Sequence, residues 1–117
     1  MITISSHTLN GLNGTHAGGI VVQFKNINSN EFLFQTLIDE GGRLNKNLSN
    51  DLADKLVTYE LIFKIGDFWK HINNQENVEG ILDEIVIRFK IPHKDKKYHF
   101  PIILSPNSYS TWWSKGE

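Results

Sequence analysis

Segments of this chain that read as strands are far easier to find than segments that read as helices. Ile2 to Leu9 and Ile20 to Lys25 are rich in β-branched and aromatic side chains, and each is followed by turn-formers: Asn10-Gly11-Leu12-Asn13-Gly14 after the first, Asn26-Ile27-Asn28-Ser29-Asn30 after the second. The pattern predicts two strands bounded by loops. A third strand is predicted over Phe32 to Ile38, ending at Asp39-Glu40-Gly41-Gly42-Arg43, where the paired glycines permit positive φ and a tight reversal. From Thr58 to Ile65, Tyr59, Leu61, Phe63 and Ile65 fall on one face and Glu60, Ile62 and Lys64 on the other. Glu84 to Ile91 alternates as well, with Ile85, Ile87, Phe89 and Ile91 inward and Glu84, Arg88 and Lys90 outward, until Pro92 ends it. Tyr98 to Ser105 is the next strand, in which Pro101 lacks an N–H and so calls for an edge or a bulge; Tyr109 to Trp113 is the last.

Helical signals are few. Leu48, Leu52 and Leu56 recur four apart, and Ser49 or Asn50 would cap a short helix, so Asn47 to Leu56 reads either way. Asp67 offers an N-cap for one or two turns over Phe68 to Asn73. Seven or eight short strands with turns between them and one brief helix predict an all-β sandwich, a single domain over residues 1–117 without repeats or linkers.

Composition removes whole classes of function. The chain has 117 residues, 39% of them hydrophobic, and no apolar run approaching about 18, so no membrane span is expected. No basic segment leads into an apolar one near Met1, so no secretory signal is read and the cytoplasm is the default compartment. The absence of cysteine excludes disulfides, thiolate nucleophiles and zinc-thiolate sites. Twelve Lys and Arg against thirteen Asp and Glu, without a basic block, argue against a nucleic-acid surface. The densest basic cluster, His93-Lys94-Asp95-Lys96-Lys97, reads as a solvated turn between strands. Among five histidines there is neither a His-x-His nor a His-x-x-x-His pair, so a metal site has no local support.

Four segments carry a longer likeness: SSHTLNGLNG from Ser5, DEGGRLN from Asp39, YELIFKIGDFWK from Tyr59, and YHFPIILSPNSYST from Tyr98 to Thr111. In that order they resemble the transthyretin-like family of 5-hydroxyisourate hydrolases nearly end to end, the last segment being the most specific. The resemblance implies a transthyretin (prealbumin)-like β-sandwich of seven to eight strands with one short helix. It also implies a homotetramer with sites in a channel between dimers, and hydrolytic opening of a small purine-derived ring in urate catabolism without metal or cofactor. By position, the catalytic residues it implies are His7, Arg43 and His99.

Those residue types suit the chemistry on independent grounds. An imidazole, with an ordinary pKa of about 6.5, can take a proton from water and return one to a leaving nitrogen, typically worth about 10²- to 10⁴-fold. An arginine fork binds carbonyl oxygens or an ionised imide and stabilises a tetrahedral oxyanion, worth roughly 10²- to 10³-fold. Residue type alone leaves the order between His7 and His99 open, and gives His16, His71 and His93 ordinary surface roles. Two other readings of the resemblance are a related hydrolase or cyclase of another heterocycle, and a non-catalytic small-molecule binding protein.

Departures from the family pattern cluster near these residues. The hydrolases usually end at Tyr-Arg-Gly-Ser directly after Tyr-Ser-Thr, whereas this chain continues Trp112-Trp113-Ser114-Lys115-Gly116-Glu117, with Ser114 in a shifted position. Asn10 stands where aspartate is usual, which would remove a charge orienting His7, and His16 stands where proline is usual. On a strand, Trp112 and Trp113 would point to opposite faces, one inward and one lining a channel or interface.

Overall fold

A computed structural model describes residues 1–72 and 80–115. Eight strands run among them: β1 (Ile2–Asn10), β2 (Val21–Asn26), β3 (Glu31–Leu37), β4 (Arg43–Leu48), β5 (Asp54–Phe63), β6 (Ile85–Ile91), β7 (Lys97–Ser105) and β8 (Ser108–Thr111). They form two four-stranded sheets, ordered β4-β1-β7-β8 and β3-β2-β5-β6. β1 pairs with β4 antiparallel and with β7 parallel, so the first strand of the chain is an interior strand of its sheet. No helix among the described residues is long and apolar enough to cross a membrane.

Alternation sets the core. Ile2 and Ile4 of β1, Val22 and Phe24 of β2, Leu61 and Phe63 of β5, Ile85 and Ile91 of β6, and Phe100, Ile102 and Leu104 of β7 are buried between the sheets. Phe24 stacks on Tyr59 at 5.3 Å, and Phe89 of one sheet meets Phe100 of the other at 4.7 Å. Along β1 the inward positions turn polar after Ile4, and each finds a partner. Ser6 Oγ donates to the Phe100 carbonyl at 2.6 Å, Thr8 Oγ1 to the Ala17 carbonyl at 2.6 Å, and Asn10 Oδ1 accepts from Leu12 N–H at 2.9 Å. The outward positions of that end of β1 are thereby left for Ser5, His7 and Leu9.

Three expectations are corrected. Arg43 to Leu48 is a strand, and the leucine spacing across Asn47 to Leu56 yields only a 3-10 turn, Asn50–Leu52, capped by Ser49 as its side chain accepts from Asp51 N–H. The asparagines of β4 are poor strand formers, and pairing with β1 overrides them. The helix, α1, spans Ile65–Ile72 with Ile65, Phe68 and Trp69 buried on one stripe, so Asp67 lies in its first turn and is not its cap. The expected end at Asn73 lies outside the described residues. Pro101 is on an interior strand, between the last β7–β8 pair, Ile102–Thr111, and an isolated bridge from His99 to Ser114. It is tolerated because pairing on that side lapses at Trp112 and Trp113, where its missing N–H costs no ladder bond.

Candidate active site

β1 offers Ser5 and His7 on its outer face, and its neighbours add to them in register. On one side His7 is the direct partner of Arg43 at the start of β4; on the other Ser5 is the partner of His99 on β7. His7 and His99 are therefore diagonal neighbours on adjacent strands of one sheet face. A polar cavity of about 390 Å³ opens there, lined among others by Ser5, Asp39, Arg43, Asn45, Lys97 and His99. Arg43 and His99 share this cavity, while His7 lies beside Arg43 and outside the lining.

Arg43 owes its position to the turn that precedes it. Gly42 N–H donates to the Asp39 carbonyl at 3.0 Å, Asp39 N–H to the Arg43 carbonyl at 3.0 Å, and Arg43 N–H to Asp39 Oδ1 at 2.8 Å. Gly42 is required twice over. Its φ of 74° lies in the left-handed region, and a Cβ there would meet the Thr8 carbonyl oxygen at 2.5 Å and His7 Cδ2 at 3.3 Å.

His99 is held from two directions. Its Nδ1 lies 2.8 Å from Ser5 Oγ, which leaves Nε2 as the nitrogen not engaged by Ser5. Its backbone exchanges two hydrogen bonds with Ser114, His99 N–H to the Ser114 carbonyl at 3.2 Å and Ser114 N–H to the His99 carbonyl at 2.8 Å. The diverged tail thus runs alongside the site. Trp112 and Trp113, beyond the end of β8 at Thr111, are both 49% exposed, so neither is fully buried. Trp113 covers a separate apolar cavity of about 270 Å³ with Phe89, Pro92, Tyr98 and Phe100, on the inner side of β7.

Both imidazoles are held below the ordinary histidine value. For His7 the largest cause is burial, followed by the positive charges of Arg43 and His16, while the Gly41 carbonyl and Asp39 act the other way. For His99 burial again leads, followed by Lys97, Arg43 and His7. At neutral pH each ring is therefore mostly the free base, in a cavity whose Arg43 and Lys97 attract anions and carbonyl oxygens.

Sequence reasoning missed four contributors. Ser5 and Lys97 were recoverable, since each lies two residues from a proposed histidine and shares its strand face. Asp39 opens the glycine turn, but its bond to Arg43 N–H depends on the folded turn. His16 was read as an ordinary surface residue, yet its Nδ1 lies 3.1 Å from His7 Nε2. Asn10 does not orient His7: it is buried on the opposite face of β1, where it braces the following loop.

The chain is a two-sheet β-sandwich with arginine and imidazole gathered on the outer face of one sheet. Residues 4–114 match the HIUase/Transthyretin family, and the chain belongs to that family. It is 29% identical over 111 residues to the 5-hydroxyisourate hydrolase of Pseudomonas aeruginosa, covering 93% of this chain and 88% of that protein. It is 30% identical over 114 residues to the 5-hydroxyisourate hydrolase of Caulobacter vibrioides, covering 96% and 97%. The solved structure of Klebsiella pneumoniae 5-hydroxyisourate hydrolase superposes with a TM-score of 0.78 at 22% identity, over 97% of this chain and 99% of that one, a likeness of fold.

Replacing Gly42 by alanine is expected to lower stability by about 1–3 kcal/mol in urea unfolding, since it combines positive φ with a backbone clash. Unchanged stability would show that the turn does not need glycine.

Proposed function

We propose that this protein is a cofactor-independent hydrolase that opens the ring of 5-hydroxyisourate, working as a homotetramer in the cytoplasm. The observation that carries this reading is the meeting of Arg43 and His99 in one cavity, with His7 locked beside Arg43 in the same ladder. Membership of the family and the relatives named above support the choice of substrate.

In this reading His99 is the general base. With Nδ1 facing Ser5, its Nε2 takes a proton from water as the water oxygen bonds to the ring amide carbon. The carbonyl π pair moves onto oxygen, and Arg43 meets the resulting anion with its fork of N–H groups. The intermediate then collapses: the C=O reforms, the C–N bond breaks, and the nitrogen leaves with the proton that His99 had taken. His7, the direct partner of Arg43 in the β1–β4 ladder, is the orienting residue beside it. Lys97 adds positive charge that draws an anionic substrate into the cavity. In this reading the tetramer sets this sheet face, which carries the exposed Ile103, against other copies.

Purified protein added to freshly oxidised urate is expected to speed the loss of hydroxyisourate absorbance, and a rate equal to buffer overturns the reading. His99→Ala should cut turnover at least about 10²-fold with its unfolding curve unchanged. A large stability loss without a specific loss of turnover would make His99 a packing residue instead. The pH profile follows from the direction of the imidazole shifts. Because folding holds His99 and His7 below about 6.5, the base stays free above that value, so kcat/KM should be flat above it and fall only at lower pH. A rate already falling between pH 8 and 7 would contradict this. Sedimentation equilibrium is expected to give four times the 13.4 kDa chain mass; a monomer at micromolar concentration would remove the tetramer.

A further inference from the structure

His7 and His16 come from opposite limbs of the reversal that follows β1. Asn10 N–H donates to the Thr15 carbonyl at 2.8 Å and Ala17 N–H to the Thr8 carbonyl at 3.0 Å, which makes Leu9 and His16 a directly opposed pair between those two bonds. In such a pair both side chains leave the same face, and Leu9 shares its face with His7 two residues earlier. Backbone pairing alone therefore aims His16 at His7 as a diagonal neighbour. The reversal is also braced: Gly14 N–H donates to the Asn10 carbonyl at 2.8 Å, and Thr8 Oγ1 to the Ala17 carbonyl at 2.6 Å. The rings then meet, with His7 Nε2 3.1 Å from His16 Nδ1 and centroids 5.2 Å apart. Gly42 packs against both, since a Cβ there would lie 3.3 Å from His7 Cδ2 and 3.4 Å from His16 Cβ.

We propose that His16 is a positioning residue for His7: the two imidazoles form a couple that shares one proton and fixes which nitrogen of His7 carries it. The role in turnover rests on the hydrolytic reading above; the couple itself does not. A ring N···N contact of this length needs one donor and one acceptor. Two neutral rings satisfy that, and so does one neutral ring with one cation. Two cations present N–H to N–H and lose the bond, so the contact holds at most one charge. A proton on His7 Nε2 is accepted by His16 Nδ1, and the ring stays in place. Other charges facing His7 are Arg43 from β4, Asp39 from the glycine turn and His99 from β7. Arg43 opposes a proton on His7, the Gly41 carbonyl and Asp39 favour it, and the ring nitrogen of His16 can act as donor or acceptor.

The test uses full-length wild type, His16→Phe and His16→Gln, followed by NMR of the imidazole nitrogens across pH and by the rate of hydroxyisourate opening. In the wild type the His7 nitrogens should report a single tautomer. His16→Phe should leave His7 with a mixture of tautomers, and lower kcat about tenfold with KM unchanged, less than the loss of about 10²- to 10⁴-fold for removing a general base outright. His16→Gln, whose amide can donate or accept, should restore a single His7 tautomer and most of kcat. Identical titration and tautomer of His7 in wild type and both variants overturns the proposal. So does tenfold loss in His16→Phe with no change at the His7 nitrogens, because the effect would then be structural. Ring titration needs no substrate, so an inactive wild type would overturn the hydrolytic reading and leave the couple to be judged on NMR alone.

Discussion

Everything at the site depends on the register of β1 between β4 and β7. The strand is held antiparallel on one side and parallel on the other, and those two ladders set His7 opposite Arg43 and Ser5 opposite His99. Because side chains alternate with period two, a slip of one residue would turn His7 inward and bring Ile2 and Ile4 to the surface. The register is therefore enforced by burial. Ile2 and Ile4 are fully buried, and Ser6, Thr8 and Asn10 are buried with their hydrogen bonds satisfied. The same alternation that hides one half of the strand presents the other half as a site.

Electrostatics follow from that placement. Arg43 and Lys97 bring positive charge to a face where two imidazoles are partly withdrawn from water, and burial and cations push both rings toward the neutral form. The proposed hydrolysis needs a neutral base beside a fixed guanidinium, since the base must be free while the developing oxyanion must be met. Asp39 serves this arrangement through the main chain. It closes the turn that starts β4 and fixes the backbone from which Arg43 extends. The tail beyond β8 contributes by a similar route, with Ser114 bonded through its backbone to His99.

Much of this was legible in the order of residues. Period-two alternation gave the strands of both sheets except β4, because burying one face of each strand demands that pattern. The segments from Ser5, from Asp39 and from Tyr98 gave the family and singled out His7, Arg43 and His99. What stayed hidden were features decided between segments. β4 is rich in asparagine and buries little but Leu44, so its strand character comes from β1 and not from its own residues. Pro101 argued for an edge or a bulge, and it sits on an interior strand where the ladder to the tail lapses beside it.

The sequence by itself determined the sandwich, the family and three of the polar residues on one sheet face, since these rest on local alternation and on ordered motifs. Tertiary structure alone decided which imidazole faces the cavity, that Ser5 and His16 each hold a histidine, and that Asn10 serves the loop instead of the site. The physical reason is that hydrogen bonds of about 3 Å form between residues whose separation along the chain says nothing of their separation in space. Ser5 reaches His99, and His16 reaches His7, only once β1, β7 and the reversal after β1 are folded together.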